Sequence, residues 1–480
     1  MAHANAAQSD PRSLTEKSPP SAQTLSLKEK LSYGVADMGF NFYWANIATF
    51  LMIFYTDVFG ISAAAAGSML FTIKIINAFT DPIIGAAADR TKTRFGKFRP
   101  YLVWMALPLV ASGILTYSTP ALGGQGKLIW AFVTYLCLMV CYTGINIPYN
   151  ALSGVMSNHP QERSTLNGLR FVFAFSGGML VTAATPYLVK WLGHGRERVG
   201  WPLTMLLWGL AASGLFLITF FNTRERIAPP ATQKTHVRED LRDLSHNGPW
   251  LVLFFLALII MITITLRNAT APYYFTYLVG RPELAGTFVS TYMAAAAAGA
   301  ALTPVLTRFF DKRLLLLTLM SLTGVLSVTF FFIPKDQIVL MFALQIAIGL
   351  VLGPKSPLAW SMYADTADYN EWRTGRRATA MTFAAATFSQ KLGTALAAAV
   401  MGWLFTALGY VAKATQTPRS QTGILMLMSF IPAVFALLAV AVMLFYRLDN
   451  KQVALLQQEL AERKRQHEQE RGTKLGESNQ

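Results

Sequence analysis

Cysteine is nearly missing from this chain: two occur in 480 residues, Cys137 and Cys141, four apart in one apolar stretch. Side chains so spaced sit on consecutive turns of a helix, which does not suit a disulfide, and two thiols make no cysteine metal cluster. There is no HExxH motif and no glycine-rich phosphate loop. The six histidines, His3, His159, His194, His236, His246 and His467, all fall in tails or polar loops. No imidazole therefore lies at membrane depth to serve as a catalytic base, which excludes an intramembrane hydrolase, and the chain is expected to be no enzyme and to need no cofactor. Charge is scarce as well, at 14% of residues against 53% apolar, and mean hydropathy is +0.38. That balance excludes a soluble enzyme of this length and indicates a polytopic membrane protein. Acids are the rarer sign, 25 Asp and Glu against 41 Lys and Arg, a net charge of +16. In a soluble chain such an excess would suggest nucleic acid. Here the bases cluster between apolar stretches, as in cytoplasmic loops, so the expected partner is the bilayer and not nucleic acid. The first 27 residues hold three prolines and no apolar core, so no cleavable signal peptide is expected.

Twelve stretches are long enough to span a bilayer: 32–57, 62–88, 100–118, 128–156, 165–190, 201–221, 250–278, 284–308, 314–333, 338–364, 379–408 and 422–446. A polar segment from Asn222 to Gly248 separates the first six from the last six. The expected organisation is a disordered cytoplasmic tail over 1–27, a six-helix bundle over 28–221, a central cytoplasmic loop over 222–249, a second six-helix bundle over 250–446 and a cytoplasmic tail over 447–480. Mixed charges over a helical pattern in that last tail read as a solvated helix. The halves echo each other: the basic loop Asp89-Arg90-Thr91-Lys92-Thr93-Arg94 follows the second span, and Arg308-Phe309-Phe310-Asp311-Lys312-Arg313 follows the eighth. Parallel six-span halves that open a basic loop at the same place are the pattern of the major facilitator fold, an all-α membrane architecture. The basic loops put both termini in the cytoplasm and the protein in the cytoplasmic (inner) membrane.

Against this background Asp81 stands out as a lone carboxylate inside an apolar stretch. A charge at membrane depth costs at least about 2.5–3.5 kcal/mol, so it calls for a partner or a function. Lys74 and Asn77 lie seven and four residues earlier, on the same helical face. Such a face can hold a proton or a small cation; the plainer alternative is a Lys–Asp pair that orients the helix. Asp37 and Asn41 share a face of the first span, and Thr143, Asn146 and Asn150 form a polar stripe on the fourth. Five bases, Lys74, Arg170, Arg267, Lys355 and Lys391, fall within spans, and the chain supplies too few acids at that depth to match them. Either water surrounds them or the ligand brings negative charge or many acceptor hydroxyls. Arg170 and Lys355 are the bases best placed to snorkel to an interface. Aromatic residues near the stripes, Tyr142 and Tyr149 among them, suit stacking on sugar rings and equally suit helix packing.

Several of these segments resemble the glycoside–pentoside–hexuronide:cation symporters, the melibiose permease-like family of the major facilitator superfamily. The resemblance rests on Lys30, Tyr33 and Gly34, on Tyr55-Thr56-Asp57-Val58, Asp81-Pro82-Ile83-Ile84-Gly85 and Arg94-Phe95-Gly96-Lys97-Phe98-Arg99-Pro100. In the second half it rests on Ala364-Asp365-Thr366-Ala367-Asp368-Tyr369-Asn370-Glu371-Trp372, then Arg376 and Lys391, and it covers about residues 28–446. It implies an importer that couples sugar uptake to a cation by alternating access; separately, the chain is expected to function as a monomer. Asp81 matches the coupling carboxylate and Thr143 a threonine near it, while Asn77 stands where sodium-using members carry a second carboxylate. One anionic ligand fewer weakens a hard-cation site, so the resemblance favours a proton, with sodium or lithium as alternatives.

On the sugar side, Asn41 and Asn146 replace aspartates and Asn150 a tryptophan, while Arg170 and Lys391 are kept and Asp37 is the remaining acidic contact. Amides in place of carboxylates make the cavity more positive, which favours a uronide, another acidic sugar or an oligosaccharide. Asp89, Arg90, Arg94, Asp365, Asp368, Glu371 and Arg376 would meet at the inner surface and serve as a gate. A lysolipid carrier and an uncoupled facilitator or sensor on the same fold are the rival readings.

Overall fold

The computed structural model describes residues 25–156, 160–226, 242–375 and 379–477. The tail before residue 25, most of the central loop and Arg376 lie outside the described residues. Within them the chain runs through α1 (Leu27–Phe59), α2 (Ala63–Arg90), α3 (Tyr101–Thr116), α4 (Gly124–Met156), α5 (Pro160–Leu192) and α6 (Glu197–Asn222). The second half contains α7 (Gly248–Val279), α8 (284–309), α9 (Lys312–Phe331), α10 (Ile338–Thr374), α11 (Thr379–Ala407) and α12 (Pro418–Leu444), and α13 (Asn450–Glu477) follows. Ten of the first twelve are long and apolar enough to cross a membrane. Of the other two, α3 is a shorter apolar helix and α11 has 29 residues with Lys391 inside it.

Helix starts follow the sequence closely. Ser26 and Glu29 form a capping box on α1, and Ser62, Asn247, Asp311 and Thr417 cap α2, α7, α9 and α12 with their side chains. α1 and α7 end alike. Each widens into a π-helical turn, 54–59 and 275–279, and stops at a glycine in the left-handed region, Gly60 (φ 80°) and Gly280 (φ 75°).

Within the first half, α1 packs on α5 and α6; within the second, α7 packs on α11 and α12, and α8 on α10. Three pairs join the halves: α2 with α11, α5 with α8, and α1 with α7. Hydrocarbon supplies no hydrophobic drive between helices, so close packing does the work and small residues mark the contacts. A Cβ on Gly67 would lie 3.0 Å from the Cα of Gly402, and one on Gly286 would strike the carbonyl oxygen of Thr182. Large apolar side chains such as Leu107, Trp191, Phe221 and Val339 point outward, as a lipid-facing surface requires.

At the basic end, Gly96 (φ 112°) turns the α2–α3 loop so that three successive backbone N–H groups face one carboxylate. Lys97, Phe98 and Arg99 donate to Glu225 at 2.8, 2.8 and 3.0 Å, tying this loop to the segment after α6. The last helix corrects an expectation. α13 does not stand free in solvent; Val453, Leu456 and Leu460 are buried, and the helix packs on α10. Trp372 donates to Glu459 at 2.6 Å, Gln457 to Asp368 at 3.1 Å, and Arg463 to the carbonyl of Trp372 at 3.0 Å.

Candidate functional site

α2 and α11 meet through charge as well as glycine. The ammonium of Lys391 contacts Oδ2 of Asp81 across the two halves. The other oxygen, Oδ1, is buried and has no hydrogen-bond partner among the described residues. One turn away, Asn77 donates to Thr143 Oγ1 at 2.9 Å and approaches the carbonyl of Met139 at 3.4 Å. Asn77 thus ties α2 to Thr143 on α4, while Asp81, one turn on, faces Lys391 on α11. Lys74 does not join them. Two turns from Asp81, it turns its ammonium over the Trp44 ring, 5.6 Å from the centroid. The Lys74–Asp81 pair that helical spacing suggested is replaced by one with Lys391, which reaches Asp81 from the opposite half.

The stripe on α4 continues into a second cluster. Asn150 donates to Asn146 Oδ1 at 3.0 Å, and Arg170 on α5 donates to Asn150 Oδ1 at 2.6 Å. The same guanidinium bonds Asp37 on α1, and Asn41 donates to the Asp37 carbonyl at 2.9 Å. Tyr149 donates to Tyr33 O at 2.8 Å and reaches Asp37 Oδ2 at 3.4 Å. Its ring lies 4.9 Å beneath the guanidinium, a cation–π contact that holds the Arg170 plane in place. Tyr142 stacks edge-on to Phe40 and lies 6.4 Å from Trp44. Asp37, Asn41, Asn146, Asn150, Arg170 and Tyr149 therefore form one connected network of amides, a carboxylate and a fixed guanidinium. Such an array offers both donors and acceptors to a polyhydroxylated ligand.

Three bases depart from expectation. Arg170 does not snorkel, because Asp37 and Asn150 hold it inside. Lys355 is buried, with 6% of its surface exposed, and does not reach an interface either. Arg267 donates to Gln345 Oε1 at 2.8 Å and to the Met428 carbonyl at 2.6 Å, over the Phe330 ring. It lies in the packing of the second half, apart from the Arg170 network.

Among the residues expected to gate, Asp365 pairs with Lys312 at 2.7 Å and Asp368 accepts from Gln457, ties that lie within the second half. Arg94 stacks on Phe95, 4.6 Å from its centroid. Arg90 is exposed and Glu371 half-buried; the side chain of Asp89 lies outside the described residues.

The end opposite the basic loops holds contacts that reading for membrane-depth charge missed. Asp57 accepts from Tyr277 and, at 2.5 Å, from Tyr410. Thr56 and Tyr273 share a hydrogen bond of 2.8 Å. Trp403 donates to Ser68 and the amide of Ala64 to Thr406, each at 3.1 Å. A signal was available: Tyr55-Thr56-Asp57-Val58-Phe59-Gly60 and Phe275-Thr276-Tyr277-Leu278-Val279-Gly280 match as repeat-related segments.

Two helical halves meeting around paired charges and a partly exposed polar network, inside a surface of outward apolar side chains, define a multi-pass membrane transporter and not an enzyme. The chain belongs to the MFS/sugar transport protein family, whose model matches residues 32–450. It is 36% identical over 452 residues to the inner membrane symporter YicJ of Escherichia coli (strain K12), covering 94% of this chain and 98% of that one. It is 33% identical over 442 residues to the isoprimeverose transporter of Lactiplantibacillus pentosus, covering 90% and 92%. Among solved structures, the nucleoside transporter NupG superposes with a TM-score of 0.60 at 13% identity, over 88% of this chain and 100% of that one; that likeness concerns the fold alone.

Proposed function

We propose that this protein imports a glycoside, oligosaccharide or acidic sugar in symport with a cation, a proton in preference to sodium, by alternating access. One observation carries the reading: Lys391 of the opposite half holds one oxygen of Asp81, while the other oxygen of the same carboxylate has no partner among the described residues, beside a polar network that ends in Arg170. A coupling ion that takes Asp81 releases Lys391, so ion binding is linked to the contact between halves. With Asn77 neutral, a single carboxylate remains, enough to bind a proton and a poor cage for sodium. The Arg170 network would receive sugar hydroxyls, with Asp37 as its acidic contact. Relatives named as a symporter and as an isoprimeverose transporter support the sugar class.

The six-helix halves, 28–221 and 250–446, would move as bodies in a cytoplasmic membrane, with both termini and the basic loops inside and the chain working as a monomer. In that orientation the Asp57 contacts close the outer mouth.

The test is solute-driven ion uptake. Energy-depleted cells or proteoliposomes receive glycosides and uronides in turn while external pH is followed. Alkalinisation with one sugar, abolished by Asp81→Asn, is the expected result. Flat pH with labelled sugar entering only when sodium is present would replace the proton with sodium. No labelled sugar entering under either condition would overturn the reading.

A further inference from the structure

α12 is broken in the middle. Its first segment, Pro418–Met428, and its second, Phe430–Leu444, meet at Ser429, whose backbone is non-helical (φ −127°, ψ −84°). Pro432 accounts for the break: it has no N–H for the carbonyl four residues earlier, that of Met428. A carbonyl freed within a membrane needs another donor, and Arg267 on α7 supplies one at 2.6 Å. The same buried guanidinium donates to Gln345 on α10 at 2.8 Å and lies over Phe330 on α9. The first half lacks this arrangement. There α6, which matches α12, runs unbroken from Glu197 to Asn222, and its one proline, Pro202, falls in the second turn. Arg267 stands thirteen residues before Gly280, and the residue thirteen before Gly60 is Ile47. The base thus comes with the break and is missing where the helix is whole.

What the first segment carries points to its use. Buried Gln416 fastens the preceding loop, 408–417, to the start of the helix. Its side chain accepts from Ser420 at 2.9 Å and donates to the carbonyls of Val411 and Ala414 at 2.5 and 3.0 Å. The loop so held reaches across to the first half. Tyr410 donates to Asp57 at 2.5 Å, and the Lys413 ammonium pairs with Glu197 at 3.0 Å. The Lys413 amide donates to the Tyr277 hydroxyl at 2.9 Å. On its other side the loop leaves α11 at Gly409, in the left-handed region (φ 74°). Arg419 also reaches the Ala407 carbonyl at 3.2 Å, an exposed bond that water can replace. Loop and first segment are therefore one piece between two turning points, Gly409 and Ser429, and that piece bears part of the lock on the Asp57 end.

We propose that Ser429 is a hinge on which the first segment of α12 swings with its loop as a flap over the Asp57 end, and that Arg267 is a positioning residue that holds the broken helix end through the swing. This goes beyond the transport reading above, and it depends on neither the cargo nor the coupling ion.

The test reads opening without any sugar. Ala269 is buried on α7, one turn before Tyr273. With Cys137 and Cys141 replaced by serine and a cysteine placed at Ala269, an impermeant maleimide added at the Asp57 side reports how often that end opens. Pro432→Ala returns the missing N–H and should stiffen the hinge. Labelling should slow about 3- to 10-fold, the range of one added hydrogen bond, with a melting temperature no lower than that of the wild type. Pro432→Gly returns the N–H without the stiffness and should slow labelling less. The expected order of rates is wild type, then Pro432→Gly, then Pro432→Ala, and equal rates among these folded proteins overturn the hinge. Arg267→Met should lower the melting temperature. The loss should be much smaller with Pro432→Ala also present, because the Met428 carbonyl then has a donor on its own helix. An equal loss with and without Pro432→Ala overturns the role of Arg267. Sugar uptake enters neither measurement, so either failure leaves the transport reading standing.

Discussion

Asp57 and Tyr277 occupy equivalent places in the two halves, each three residues before the left-handed glycine that ends its π-helical turn, and they hydrogen-bond to each other. The repeat has placed an acceptor in one copy and a donor in the other, so the two turns lock across the approximate symmetry axis. Tyr410 completes the lock on the second carboxylate oxygen.

Weakening this lock should open the end that it closes. A hydrogen bond to a carboxylate contributes about 1.5–3 kcal/mol, so Tyr277→Phe should raise the population open at that end roughly tenfold or more. With Cys137 and Cys141 replaced by serine and a cysteine placed at Ala269, labelling by an impermeant maleimide from that side should quicken accordingly. Unchanged labelling would show that other contacts hold the end shut.

Asp81 and Lys391 should depend on each other for stability. Removing one member of a buried ion pair costs about 3–5 kcal/mol, less here because the two side chains are 23% and 31% exposed. Asp81→Asn and Lys391→Met should each lower the melting temperature, and the double variant should recover much of the loss. None of the three should show solute-driven ion movement. A double variant as unstable as the sum of the singles would mean that the pair is not coupled.

Arg170→Lys should fail despite keeping the charge. A guanidinium bonds Asp37 with one edge and Asn150 with another, and an ammonium lacks that planar fork. The expected outcome is a KM for sugar raised about tenfold, with Asn150→Ala giving a smaller rise. Equal KM values in Arg170→Lys and wild type would remove Arg170 from the sugar site.

Detaching α13 should be readable by proteolysis. Leu456→Ser with Leu460→Ser places hydroxyls in the buried stripe, and Glu459→Ala removes the acceptor of Trp372. Trypsin added at the basic face should cut near Arg447 and Lys451 faster in these variants. Cleavage at the wild-type rate would mean that the docked helix is not held by this face.

Much of this was legible before the fold was known. Apolar length marked the helices, the cost of charge in hydrocarbon singled out Asp81 and Arg170, and helical spacing picked out the stripe on α4. What could not be read was pairing. Lys74 and Asp81 share a face of one helix, but the partner of Asp81 lies 310 residues away, and only the packing of α2 on α11 brings it near. The depth of Arg170 suggests snorkelling, but an acid 133 residues away decides its direction. The docking of α13 was within reach: Val453, Leu456 and Leu460 recur at helical spacing, a stripe that the surrounding charges obscured.

The meeting of Gly67 with Gly402 gives the assembly a fulcrum. Where two backbones touch, neither helix can slide far without colliding, but each can tilt about the point of contact. Asp81 lies 14 residues from Gly67, a lever arm of about 21 Å along the helix. A tilt of about 15°, typical of subunit rotations, would sweep its carboxylate through about 5 Å, enough to part it from Lys391. Near the fulcrum the same tilt moves atoms very little. Two small residues would thus gear a slight rocking at one end into the making and breaking of an ion pair in the middle of the membrane.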